Sequence, residues 1–142
     1  MTQTVTIQIP DTLYEPIRRA AQATNQPLEA VVLTALQTSL PSLEGLSADT
    51  QAELVSLEAL SDEALWRVML ERMPADRQSA LETLLDKNKT GQLNEPEHNQ
   101  LAALQESADL ITLRKARAAV LLRFRGLRIP TPAELHQLSL AA

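Results

Sequence analysis

The chain has 142 residues, of which 44% are hydrophobic and only 2% aromatic, and its formal net charge is -5. A chain of this length forms one domain or two small ones, with a core of aliphatic side chains. The lack of cysteine excludes disulfides and thiolate metal sites. No apolar run reaches the roughly 20 residues that span a bilayer, and the N-terminus lacks a signal-peptide pattern. We therefore expect a cytoplasmic protein without a membrane segment or a cofactor.

The first predicted element is a β-strand over residues 4–10, where apolar and polar side chains alternate. The apolar positions are Val5, Ile7 and Ile9, and the polar positions are Thr4, Thr6 and Gln8. No later segment looks able to pair with this strand, so a second copy of the chain would supply its hydrogen-bond partners. The sequence thus predicts a mainly α-helical fold whose single strand forms a two-stranded ribbon in a homodimer.

Two short helices are predicted after the strand. Pro10 ends the strand, and Asp11 suits the N-cap of the first helix. Asn25 tolerates the left-handed conformation at a helix end, and Pro27 fits the first turn of a second helix, from Leu28 to about Leu40. Such a unit has only some 40 residues, near the size at which oligomerisation is usually required.

Residues 3–41 resemble the ribbon-helix-helix family of Arc/MetJ/CopG-type repressors and antitoxins. The resemblance is carried by TVTIQIPDTLYEPIRRAAQATNQPLEAVVLTALQTSLP, with its alternating strand closed by proline, its helix lengths and its turn. It implies an intertwined homodimer whose ribbon lies in the major groove of DNA. By position, Thr4, Thr6 and Gln8 would face the bases, and Val5, Ile7 and Ile9 would form the dimer core. The start of the second helix would offer N–H groups to a phosphate.

The charge of this segment leaves an alternative open. The strand has no Arg or Lys, whereas affinity for DNA comes mainly from cations at phosphates. Residues 1–41 hold two cations against three carboxylates, a net charge of -1. In this alternative, the ribbon serves only to dimerise the chain, and the protein is an interaction or scaffold protein that does not bind DNA.

The remainder of the chain is predicted to be helical. We expect three parts: a DNA-binding and dimerisation domain over 1–41, a connecting helix within 42–61, and a helical partner-binding domain over 62–142. Ser47 and Ser61 suit helix N-caps. The longest helix is predicted from Glu95 to Phe124 or Arg125, before Gly126. Its length of about 30 residues suggests a coiled-coil arm or a helix that lies across a partner.

The charges of this region divide unevenly. Residues 42–110 hold five cations against fourteen carboxylates, a net charge of -9, and residues 111–142 hold six cations against one, a net charge of +5. These charges either pair within the fold or bind separate partners. The predicted partner-binding residues are Arg114, Arg117, Leu121, Phe124 and Arg125. Residues 75–128 also resemble the helical tails of small cyanobacterial proteins grouped with antitoxins, in which a Lys-Asn-x-x-Gly-x-Leu loop precedes a long helix. This likeness implies a partner-binding or dimer-extending domain.

Residues 86–97 fit two interpretations. Their oxygen-bearing positions match a calcium-binding loop and are Asp86, Asn88, Thr90 and Glu97. The same residues fit a plain turn between helices, with Gly91 in a left-handed conformation and with Asn94 and Glu97 forming a capping box. Only two of the four positions are anionic and two lysines lie beside them, so we favour the second interpretation.

No pattern of residues predicts catalysis. The two histidines, His98 and His136, lie on predicted helices among polar neighbours, and the three glycines are scattered. The sequence therefore predicts a protein that is not an enzyme. We expect a homodimer that binds a specific DNA sequence, an antitoxin-type repressor of its own transcription, whose C-terminal helices bind a toxin or another protein.

Overall fold

The computed structural model describes residues 1–40 and 42–141, apart from the side chains of Ser139 and Ala141. The described residues form α1 (Asp11–Thr24), α2 (Leu28–Ser39), α3 (Ala48–Ser56), α4 (Asp62–Met69), α5 (Ala75–Lys89), α6 (Glu95–Phe124) and α7 (Pro132–Ala141), with a 3₁₀ turn at Leu57–Ala59. The chain divides into an N-terminal unit, Met1–Glu44, and a C-terminal unit, Gly45–Ala142. Within the described ranges, no helix has both the length and the apolar character needed to cross a membrane.

The described residues contain no β-strand. The predicted strand at residues 4–10, and the ribbon that it would form with a second chain, are therefore wrong, whereas the mainly α-helical class is confirmed. A strand depends on ladder hydrogen bonds, and the helical remainder of the described chain supplies none. Alternation of β-branched residues shows how side chains could pack on a sheet, but it does not create the neighbouring strand.

The N-terminal unit is a hairpin of α1 and α2. As predicted, Asn25 ends α1 in the left-handed region, with φ of 54°. Gln26 N–H then donates to the Ala21 carbonyl at 3.0 Å, which satisfies a carbonyl at the helix end. Two details differ from the prediction: Asp11 is the first residue of α1 rather than its cap, and Pro27 lies just before α2.

The C-terminal unit is built around α6, which packs against α3, the 3₁₀ turn, α4 and α5. Its largest fully buried side chains are Leu54, Leu57, Leu65, Met69 and Leu122. A second group of buried leucines, Leu81, Leu84 and Leu101, joins α5 to the first half of α6. Because α6 is covered by other helices along both halves, its 30 residues are stabilised within the chain rather than as a free arm.

The bounds of α6 follow from local hydrogen bonds. At its start, Glu97 N–H donates to Asn94 Oδ1 at 2.9 Å and Asn94 N–H donates to Glu97 Oε1 at 3.3 Å, which confirms the predicted capping box. At its end, Gly126 adopts a φ of 87°, and Leu127 N–H reaches the Leu122 carbonyl at 3.1 Å. The helix therefore begins and ends where the sequence predicted.

The helices α3 and α4 also begin at predicted caps. Ser47 Oγ accepts from Thr50 N–H, and Ser61 Oγ accepts from Ala64 N–H, both at 3.2 Å. Each serine thus satisfies one of the free N–H groups in the first turn of α3 or α4.

Candidate functional site

The N-terminal unit carries an apolar groove of about 220 Å³. It is lined by Ile7, Ile9, Leu13, Ile17, Val32, Ala35, Leu36 and Ser39. Of these side chains, Ile7 is 65% exposed, Leu13 60% and Leu36 53%. Large hydrophobic side chains in the groove are therefore exposed to solvent. Exposed apolar surface that is grouped in this way marks an interaction site more often than scattered residues do.

The groove follows from helical spacing in α1 and α2. Leu13 and Ile17 are four residues apart on α1, and Val32 and Leu36 are four residues apart on α2, so each pair lies on one helix face. The four-residue spacing by itself indicates an apolar face on each helix. The sequence did not reveal that two helices of 14 and 12 residues would leave much of them uncovered.

The residues predicted to read DNA and to form the dimer core precede α1. Ile7 and Ile9 of the predicted core line the apolar groove, whereas Val5 is 80% exposed. Thr4, Thr6 and Gln8 are exposed as well. The structure therefore brings Ile7 and Ile9 to the two helices but does not align the three polar side chains along a strand.

The charges of the N-terminal unit do not favour a polyanion. Across residues 1–44, two arginines stand against four carboxylates, a net charge of -2. Arg18 Nη2 lies 2.7 Å from Glu15 Oε2, and this hydrogen bond holds the pKa of Arg18 above its usual value. Arg19 is therefore the one arginine of this unit not engaged in an ion pair among the described residues.

Arg114, predicted to bind a partner, ties α6 to two other segments. Its Nε and Nη2 donate to the Glu71 carboxylate at 3.1 and 3.0 Å, and its Nη1 donates to Glu53 of α3. The hydrogen bond to Glu71 is the main reason why the pKa of Arg114 is raised above its usual value. Only 19% of this side chain is exposed, so the ion pairs are partly shielded from water.

Two further predicted partner-binding arginines also pair within the fold. Arg117 Nη2 lies 2.7 Å from Glu58 Oε1, and Arg125 Nη1 lies 2.8 Å from Asp62 Oδ1. The basic end of the sequence thus pairs with its acidic middle, which was one of the two alternatives. The division of charge along the sequence indicated this pairing. The individual carboxylate partners were missed because each lies 43 or more positions from its own arginine.

The remaining two predicted partner-binding residues differ in exposure. Leu121 is half-buried, whereas Phe124 is 58% exposed at the last position of α6. The Arg123 guanidinium lies 5.8 Å from the centre of the Phe124 ring, a cation–π distance. Of the five residues, Phe124 is the one whose apolar surface faces outward.

The segment 86–97 is a turn between α5 and α6. Asp86 and Asn88 lie inside α5, and Gly91 adopts a left-handed φ of 69°, as the favoured interpretation predicted. Glu97 accepts from Lys87 Nζ at 2.7 Å as well as from the Asn94 backbone. Across the part of the chain that the structure describes, no group of three or more His, Cys, Asp or Glu side chains is placed to hold a metal ion.

Comparisons with known protein families, curated proteins and solved structures gave no match to this chain. The resemblance to ribbon-helix-helix proteins therefore stays a prediction.

Replacing Arg114 by methionine is expected to lower the free energy of unfolding by about 1–3 kcal/mol, because Glu53 and Glu71 lose their shared partner. The matched control is Arg123→Met on the same helix, which has no carboxylate within ion-pair distance among the described residues. It should change stability by less than about 0.5 kcal/mol. Urea unfolding followed by circular dichroism measures both, and equal effects would contradict a structural role for the Arg114 ion pairs.

Replacing Lys87 by methionine is expected to raise the pKa of Glu97. The hydrogen bond from Lys87 is the largest cause that lowers this pKa, followed by the bond from the Asn94 backbone. Because the pKa of Glu97 is lowered in the folded state, its carboxylate stabilises the fold at pH values above the usual glutamate pKa of about 4.3. This stabilisation is lost as the pH falls through the pKa of the folded state. NMR titration of the Glu97 carboxyl group measures the shift. Lys89→Met, which removes the Asp86 pair instead, is the control and should leave Glu97 unchanged.

Proposed function

We propose that this protein is a homodimeric interaction protein whose N-terminal unit joins two chains through the apolar groove. One observation carries the proposal: large side chains line an open groove in a 44-residue unit, while Ala21 is its one buried hydrophobic residue among those described. A unit of this size rarely holds together without a partner that covers its apolar surface. The groove therefore serves as a place where a second chain completes a core.

The exposed apolar area suits a dimer interface. The large exposed hydrophobic side chains of the N-terminal unit, besides Met1 and Tyr14, are Val5, Ile7, Leu13, Leu33, Leu36 and Leu40. Of these, Ile7, Leu13 and Leu36 line the groove. A standard interface buries roughly 800 Å² per partner, so a dimer formed at the groove would cover side chains beside it as well. Two-fold dimers are also the commonest oligomers, since one patch that matches itself closes the assembly.

In such a dimer, the C-terminal unit is present twice. Its exposed apolar side chains include Phe124 and Leu127 at the end of α6. Because Arg114, Arg117 and Arg125 are engaged in ion pairs within the unit, a second protein such as a toxin would contact these apolar side chains rather than the arginines. Two identical contact sites in one dimer would also raise the effective affinity for a divalent partner.

Replacing Leu36 by glutamate is expected to convert the dimer to a monomer, because it puts a charge into the apolar interface. Sedimentation equilibrium at micromolar concentration should give twice the chain mass of 15.6 kDa for the natural protein and 15.6 kDa for Leu36→Glu. The control is Leu138→Glu on α7, also an exposed leucine, which should leave the dimer intact. A natural protein that is monomeric under these conditions would contradict the proposal.

A second candidate function is sequence-specific DNA binding by the same dimer, as in an antitoxin-type autorepressor. It is favoured by the exposure of Thr4, Thr6 and Gln8 in the segment that also lines the groove with Ile7 and Ile9. Hydroxyl and amide side chains can hydrogen-bond to base edges. The net charge of -2 over residues 1–44 supplies no general attraction to phosphates, so binding would depend on these specific contacts.

Fluorescence anisotropy at physiological salt separates the two candidates, with DNA from immediately upstream of the coding region and a scrambled duplex as probes. If the protein reads bases, its affinity for the upstream DNA should exceed that for the scrambled duplex by at least roughly 10³-fold. The double variant Thr6→Ala, Gln8→Ala should lose this preference and remain a dimer. The matched control is Thr2→Ala, Gln3→Ala, which should retain the ratio. Equal, weak binding to both duplexes would rule out base reading and leave the interaction role.

A further inference from the structure

Among the described residues, the two helices of the N-terminal unit are joined by little buried surface. Ala21 is the one buried hydrophobic residue of this unit, whereas the other ten buried hydrophobic residues of the described chain lie in the C-terminal unit. The hydrogen bonds described within the N-terminal unit join residues at most five positions apart, such as Gln26 and Ala21. In the C-terminal unit, by contrast, Arg114 reaches Glu53 over 61 positions. The N-terminal hairpin therefore depends on apolar contacts that are largely open to water.

The two helices of this unit are also weak by themselves. α1 and α2 have 14 and 12 residues, and each begins after a proline, Pro10 or Pro27, without a side-chain cap. Pro16 lies inside α1, where a proline removes a backbone hydrogen bond. By contrast, α3, α4 and α6 each begin with a capping side chain. Isolated helices shorter than roughly 12–15 residues are marginal in water, so α1 and α2 need stabilising contacts beyond their own turns.

We propose that α1 and α2 fold only when two chains associate, so that protein concentration switches them between an unfolded and a helical state while the C-terminal unit stays folded. This switch rests on the proposed dimer and adds the regulation of its interface. In a dimer, burial of the apolar groove supplies the stabilisation that a single N-terminal unit lacks. The C-terminal unit is stabilised within one chain by its leucine core and by the ion pairs of Arg114, Arg117 and Arg125.

The switch makes a dilute chain open to proteolysis within α1. Residues 1–44 contain two basic residues, Arg18 and Arg19, which are adjacent in α1 and are the sites at which trypsin can cut this part of the chain. A protease cuts such a site in proportion to the population of the unfolded segment when opening and closing are fast. Association of two chains therefore protects α1, and dilution exposes it.

The test is urea unfolding of the full chain at two protein concentrations about 100-fold apart, followed by circular dichroism and by the fluorescence of Trp66. Trp66 is the single tryptophan and lies on α4, so its fluorescence reports the C-terminal unit. Helix content should be lost in two steps. The midpoint of the first step should rise with protein concentration, because dissociation accompanies it. The second step should coincide with the Trp66 signal and be independent of concentration.

A variant and a second readout assign the first step to α1 and α2. Pro16→Ala restores a backbone N–H inside α1 and should raise the first midpoint at both concentrations without changing the second. The matched control is Pro96→Ala in the first turn of α6, where proline is tolerated, and it should leave the first midpoint unchanged. Mass spectrometry of limited trypsin digests should show faster cleavage after Arg18 or Arg19 once the natural protein is diluted below the dissociation constant found by sedimentation.

The outcomes separate the switch from the dimer on which it rests. A dimer that unfolds in a single step by both signals, or whose first step is independent of concentration, overturns the switch and leaves the proposed dimer intact. The same conclusion follows if dilution below the dissociation constant leaves the rate of cleavage after Arg18 and Arg19 unchanged. A chain that is monomeric at micromolar concentration overturns both the dimer and the switch.

Discussion

The docking of α6 is the interaction on which the C-terminal unit depends. Apolar contacts hold this helix at Leu101 and Leu122, which are both buried, and ion pairs hold it at Arg114, Arg117 and Arg125. The leucines supply most of the stabilisation, since burial of apolar area outweighs partly exposed ion pairs. Each arginine pairs with particular carboxylates, so the ion pairs determine which acidic residues lie opposite the helix. This division explains how a very long helix can belong to a chain of only 142 residues.

The N-terminal unit is subject to the opposite constraint. Its two helices have apolar stripes, but a hairpin of this size has too little second surface to cover them, so Leu13 and Leu36 remain largely exposed. The apolar groove follows directly from that geometry. Exposure of this apolar surface to water is unfavourable, and its burial against another chain would be favourable.

The candidate sites differed in how far they could be predicted. The apolar spacing in α1 and α2 identified the stripes, and the capping residues Asn94 and Glu97 identified the turn before α6. Local patterns are sufficient for such features because the interacting residues lie within one or two helical turns. The carboxylate partners of Arg114 could not be recognised, since Glu71 and Glu53 lie 43 and 61 positions away from it along the chain.

The sequence by itself determined the helical class, the caps of α3, α4 and α6 and the bounds of α6, because these depend on neighbouring residues and on φ and ψ preferences at Asn25, Gly91 and Gly126. The predicted strand at residues 4–10 failed for the corresponding reason: a strand needs a distant partner, and alternation alone does not supply one. Only the tertiary structure decided which carboxylates the arginines of α6 meet and which apolar stripes stay uncovered. Both outcomes depend on distances between segments far apart in the chain, which local sequence patterns do not encode.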